Sequence, residues 1–129
     1  MTMEKFKELL VELGEELDTP LHPDERNICR LEINEAIFVQ LELDRSEQNL
    51  IIACQITELP PGTFKDQVLK AILRGNDAIN KRIGTFSFLA KTNLVILHQK
   101  CYLSQMDGPA LVEILIEFSN QAIHWRTAI

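Results

Sequence analysis

Histidines, cysteines and closely spaced acidic residues are the side chains through which this sequence could do chemistry. His22, His98 and His124 carry imidazoles that could act as general bases or zinc ligands. Either role needs a partner at a fixed spacing, and HxH, HxxxH and HExxH are all missing. Cys29, Cys54 and Cys101 could act as thiolates, but their odd number, wide separation and apolar flanks predict small buried hydrophobes. Glu15 and Glu16 are adjacent in a helix-patterned segment, so they point apart and do not make a carboxylate pair. The glycines form neither GxGxxG nor a phosphate-binding loop, and no serine stands in GxSxG. The expectation is a protein that is not an enzyme and holds no cofactor or metal.

The elements that would carry these groups are readable from periodicity. Phe6, Leu9, Leu10, Leu13 and Leu17 recur at helical spacing, with Glu4, Lys5, Lys7, Glu8, Glu12, Glu15 and Glu16 on the remaining surface. Gly14 sits inside this stripe; it either lets another backbone or an extended peptide approach closely or begins the helix end. Three runs then alternate with period two: Cys29, Leu31 and Ile33; Ile37, Val39, Leu41 and Leu43; Leu50, Ile52, Cys54 and Ile56. Phe38, Ile51 and Ala53 fall on their opposite face, so both faces of this antiparallel meander are apolar and the second needs a cover.

After Pro60-Pro61-Gly62, Thr63 and Asp66 open a second helix whose stripe is Phe64, Val68, Ile72, Asn76 and Ile79, widened by Leu69 and Leu73. Period two returns at Phe86 and Phe88 and again from Leu94 to Cys101, with a turn at Lys91-Thr92-Asn93. Asp107 caps a last helix whose face is Leu111, Ile114, Leu115, Phe118, Ala122 and Trp125, extended by Val112, Ile116 and Ile123. His98 is expected to pack at a sheet face, and His124 to face solvent while Trp125 packs. The order α-β-β-β-α-β-β-α predicts one α+β domain over residues 1–129, two layers built around a twisted antiparallel sheet.

Composition narrows the class. With 129 residues, 46% of them hydrophobic, the chain can bury one core. A net charge of −6 argues against nucleic acid and against a polybasic membrane surface. The charge is uneven: residues 1–59 hold 14 acidic and 5 basic side chains, whereas residues 60–129 hold 5 acidic and 8 basic. No segment reaches the roughly 18 apolar residues of a membrane helix, the start lacks an apolar signal core, and the cysteine usage fits a reducing cytosol.

The full-length pattern resembles the Tir chaperone (CesT-like) family, the class I chaperones of type III secretion. The residues that carry the likeness are Phe6-x-x-Leu9-Leu10-x-x-Leu13-Gly14-x-x-Leu17, Cys29-x-Leu31-x-Ile33, Val39-x-Leu41, Leu59-Pro60, Leu69-x-x-x-Leu73-x-x-Asn76 and Phe118-x-x-x-Ala122-x-x-Trp125. Their order and spacing, from Phe6 to Trp125, are more specific than any one of them.

The resemblance implies a chaperone of the bacterial cytoplasm that binds the extended N-terminal segment of one or more secreted effectors. It would keep that segment secretion-competent and bring it to the secretion ATPase or sorting apparatus. It implies a homodimer, or a heterodimer with a sister chaperone. Effector contact is expected at Phe6, Leu9, Leu13, Leu31, Ile33 and Phe38, with Leu10 and Leu17 able to exchange roles with Leu9 and Leu13. The dimer contact is expected at Leu69, Ile72, Leu73, Asn76 and Phe88. The acidity of Glu8, Glu12 and Glu16 is expected to keep the empty domain soluble and to favour basic client segments. The alternative is a regulatory adaptor of similar fold that binds a folded protein partner.

Overall fold

The alternating and helical stripes fold as their periods dictate. The computed structural model describes residues 2–59, 62–78 and 84–128. The elements are α1 (Thr2–Leu17), β1 (Cys29–Ile33), β2 (Ile37–Leu43), β3 (Asn49–Glu58), α2 (Thr63–Ala78), β4 (Thr85–Leu89), β5 (Leu94–Tyr102) and α3 (Gly108–Ala128), with one 3-10 turn over Leu103–Gln105. This is the predicted order. The five strands form a single antiparallel sheet in the order β1-β2-β3-β5-β4, which leaves β1 and β4 as its edges. The β4–β5 hairpin joins the meander through β5, whose long run pairs with β3 from Asn49↔Tyr102 to Glu58↔Leu94.

The pleat sorts the side chains. Cys29, Leu31, Ile37, Val39, Leu41, Leu50, Ile52, Cys54, Ile56, Val95, Leu97 and Cys101 point to one face and are buried. α1 and α3 cover that face and pack on each other, adding Phe6, Leu9, Leu10 and Leu13 from α1 and Leu111, Leu115, Phe118 and Ala122 from α3. Each such aliphatic side chain contributes about 1.5–3 kcal/mol when fully buried. The opposite face carries Phe38 and Tyr102 exposed and Ile51, Ala53, Leu94 and Ile96 partly exposed. The cover this face was expected to need is not supplied by α1 or α3. α2 packs at the β4 edge, where Val68 and Ile72 are buried and Lys65 Nζ lies 5.1 Å from the centre of the Phe88 ring.

Local chemistry fixes the connections. Asn34 and Glu35 both adopt positive φ in the β1–β2 turn, and the Ala36 N–H donates to the Ile33 carbonyl at 3.0 Å. In the β2–β3 turn the Asp44 carboxylate accepts from Ser46 Oγ at 2.8 Å and from Asn49 Nδ2 at 2.8 Å, an Asx-type anchor. Asp107 caps α3 as expected, its Oδ1 accepting from the Ala110 N–H at 2.8 Å. The same helix end receives a second carboxylate, from Glu12 of α1, whose Oε2 accepts the Gly108 N–H at 2.7 Å.

Gly14 resolves as a close approach within the chain. A Cβ there would lie 2.7 Å from the Thr19 carbonyl oxygen, and the Thr19 N–H in turn donates to the Gly14 carbonyl at 2.9 Å. The absent side chain therefore lets the loop after α1 fold back on the helix, which continues to Leu17.

Candidate functional site

Among the described residues β1 pairs with β2 alone, so the backbone groups along its other edge have no strand partner there. Beside that edge runs a groove of about 540 Å³ between β1, the loop after α1, and α3. Leu31 and Ile33 form its strand wall, Leu17 and Leu21 its α1 side, and Val112, Leu115 and Ile116 its α3 side. Leu17 (40% exposed) and Ile116 (56% exposed) stand at the rim, so the groove presents apolar surface to solvent. Arg30 and Glu32 flank it on β1.

The sequence-predicted effector residues separate into three groups. Leu31 and Ile33 meet in the groove. Phe38 is 66% exposed but belongs to the opposite sheet face, where it lines a broader and more polar cleft with Arg30, Gln40, Gln55 and Thr57. Phe6, Leu9 and Leu13 are sealed in the core, at 0% exposure for Phe6 and Leu13, because the apolar stripe of α1 turns inward where α1 packs against α3. In this conformation they offer no surface to a partner.

Of the residues expected at a dimer contact, Leu69 and Phe88 are partly buried against the core and Ile72 is buried in it. The side chains of Leu73 and Asn76 lie outside the described residues, as do those of Phe64 and Ile79 in the same stripe. Sequence reasoning did not place Leu21, Val112, Leu115 and Ile116 at a surface site. The signal that could have found Ile116 is the all-round apolarity of α3, which one buried stripe does not use up.

The reactive side chains do structural work. Burial pushes the Cys54 thiol up to about 11 and raises Cys29 and Cys101 as well, so all three remain protonated and poorly nucleophilic. A hydrogen bond of 2.7 Å joins Ser87 Oγ and His98 Nε2, tying β4 to β5 on the outer sheet face. Burial, and then the charge of Lys100, hold the His98 imidazole below its usual range. His124 is exposed while Trp125 packs edge-on to Phe86, ring centres 5.0 Å apart, as the sequence predicted. Among the described residues no three His, Cys, Asp or Glu side chains converge as a metal site, and no helix is long and apolar enough to cross a membrane.

The arrangement of the elements recurs in solved structures. A chain of the HopA1–SchA chaperone–effector complex superposes with a TM-score of 0.79 at 19% identity, over 98% of this chain and 97% of that one. The ExsC–ExsE complex gives 0.77 at 21% identity over 97% and 93%. The Yersinia pestis type III secretion chaperone SycH, in complex with a fragment of YscM2, gives 0.72 at 19% identity over 93% and 98%. These likenesses establish the fold. Among curated proteins, no sequence matches. Residues 8–126, nearly the whole chain, match the Tir chaperone protein (CesT) family, and the chain belongs to that family.

Proposed function

We propose that this chain is a type III secretion chaperone that receives an extended segment of a secreted effector in the groove between β1 and α3. The observation that carries the reading is the pairing of an unpartnered strand edge with an apolar, solvent-open wall. An extended chain can add its backbone to β1 and seat alternate side chains against Leu31, Ile33, Val112 and Ile116. The family membership and the chaperone–effector complexes of the same fold support it.

The segment bound is the effector's N-terminal region, held extended and handed to the secretion ATPase or sorting apparatus in the bacterial cytoplasm. The chain works by binding, without a catalytic step. It acts as a homodimer through α2 and β4, where Leu69 and Phe88 are only partly covered. Two grooves on one dimer raise the effective concentration for a single long client.

Leu17→Glu and Ile116→Glu test the groove, because both side chains are exposed and neither change disturbs the core. Co-purification with an exported protein from the native cell should be lost in both variants while their melting temperatures hold. Unaltered co-purification overturns the groove assignment, and recovery of a folded regulator alone points to an adaptor. Light scattering at micromolar concentration reads the dimer.

A further inference from the structure

Resting on that reading of the groove, we propose that Ser119 makes it selective for a neutral hydrogen-bonding client side chain, Ser, Thr, Asn or Gln, at one position between aliphatic neighbours. Val112, Leu115, Ile116 and Ser119 share one face of α3 at helical spacing and together line the groove. Three are aliphatic. The fourth is a hydroxyl, and Ser119 is 2% exposed with its Oγ buried and without a hydrogen-bond partner among the described residues.

A helical serine commonly folds its hydroxyl back onto the carbonyl one turn earlier. Ser119 makes no such bond. A buried, unsatisfied hydroxyl is a cost that an alanine at the same position would avoid, and a partner that arrives from outside recovers it.

The chemistry of the walls fixes the class of that partner. The groove's charges, Arg30 and Glu32, stand on β1. The serine stands on the uncharged α3 wall with Val112, Leu115 and Ile116, where a charged client group would lose its hydration without an opposite charge on that wall. A wholly aliphatic group would leave the hydroxyl as unsatisfied as before. A small neutral donor or acceptor satisfies it, and its aliphatic neighbours fill the remaining wall. The selectivity requires the exposed rim side chains Leu17 and Ile116, which line the same groove, to turn aside as the client enters.

The test uses phage-displayed random peptides selected on the intact chain and on Ser119→Ala, with melting temperatures of both proteins. Peptides enriched on the wild-type chain should carry Ser, Thr, Asn or Gln at one fixed position between aliphatic residues. Those peptides should bind Ser119→Ala about five- to tenfold more weakly. Alanine at that peptide position should cost the same factor on the wild-type chain and nothing on Ser119→Ala. The melting temperature of Ser119→Ala should hold or rise, since the free chain loses no bond.

Equal binding to the two proteins, or enrichment of wholly aliphatic peptides, overturns the selectivity and leaves the groove reading standing. A clear drop in the melting temperature of Ser119→Ala also overturns it, because the hydroxyl then has a partner within the chain. Failure to enrich any peptide, or enrichment that survives Ile116→Glu and Leu17→Glu, overturns the groove reading and the selectivity together.

Discussion

Glu12 of α1 and Gly108 at the start of α3, 96 positions apart in sequence, meet through a 2.7 Å hydrogen bond from the Gly108 backbone N–H to the Glu12 carboxylate. The contact is close on its carbon side too, since a Cβ on residue 108 would fall 2.9 Å from Glu12 Cβ. A carboxylate at a helix N-terminus satisfies a donor that the helix leaves free and faces the positive end of the helix dipole. Glu12→Ala should therefore lower stability by about 1–2 kcal/mol. Glu12→Gln, which keeps an acceptor and loses the charge, should cost about half of that. Urea unfolding followed by circular dichroism reads both, and an unchanged midpoint for Glu12→Ala would remove the cap from the account.

This contact divides the acidic surface of α1. Glu8 and Glu16 are exposed, whereas Glu12 is half-buried and engaged. The solubilising and steering role expected of all three therefore falls to Glu8 and Glu16. Their double change to Gln should leave the unfolding midpoint within about 0.5 kcal/mol of the wild type, as surface substitutions usually do. It should slow association with basic client segments, most visibly at low salt, where exposed charges are least screened. Stopped-flow association rates at two ionic strengths check this, and equal rates would remove steering from the role of α1.

Gly14 links stability to the groove. Alanine at an ordinary helix position gains about 1 kcal/mol over glycine. Here its Cβ would stand 2.7 Å from the Thr19 carbonyl oxygen, which is backbone and cannot rotate away. Displacing the loop should outweigh the helix gain and destabilise the chain by about 1–3 kcal/mol. Thr19, Pro20 and Leu21 also line the groove, so Gly14→Ala should weaken client binding as well as folding. A variant more stable than wild type would contradict the contact.

Acid stability should fall in two stages. The His98 imidazole is held below its unfolded value of 6.5, so the unfolded chain takes up the proton first. Its contribution is present above pH 6.5 and is lost as the pH falls through the folded pKa. Asp44 is lowered from 3.8 to about 2, first by its hydrogen bond from Asn49 and then by that from Ser46. Its contribution is present above pH 3.8 and is lost as the pH falls toward 2. Unfolding midpoints measured against pH should show the upper stage flattened in His98→Gln and the lower one reduced in Asp44→Asn.

The element order was legible because each stripe has one period and clear punctuation. Pro60-Pro61-Gly62 precedes α2, and the Asp107 cap lies immediately before α3. Leu31 and Ile33 were legible as neighbours because period two places them on one face of a short strand, where they line the groove. The role of the α1 stripe was not. A helix packed into the core and a helix that presents an apolar face to a partner have the same spacing, and only the packing of α1 against α3 decides between them. The same nonlocality hid Glu12, which looks like a solvated charge until Gly108 is brought beside it.

Phe6 and Phe38 separate these two meanings of an apolar residue. The family resemblance implies effector contact for both, yet Phe6 is 0% exposed in the core and Phe38 is 66% exposed on the far face of the sheet. Phe6→Ala should open a cavity and cost about 3–5 kcal/mol, a large share of the stability of a domain this size. Any loss of client binding in that variant would follow from unfolding. Phe38→Ser removes no core contact, so its unfolding midpoint should stay close to that of the wild type. If the client wraps from the β1 groove onto the outer sheet face, Phe38→Ser should weaken binding of a long client segment while a short groove peptide binds as before. Equal loss for the long and the short ligand would place Phe38's influence in the groove itself, and no loss for either would confine the client to the α3 side of the sheet.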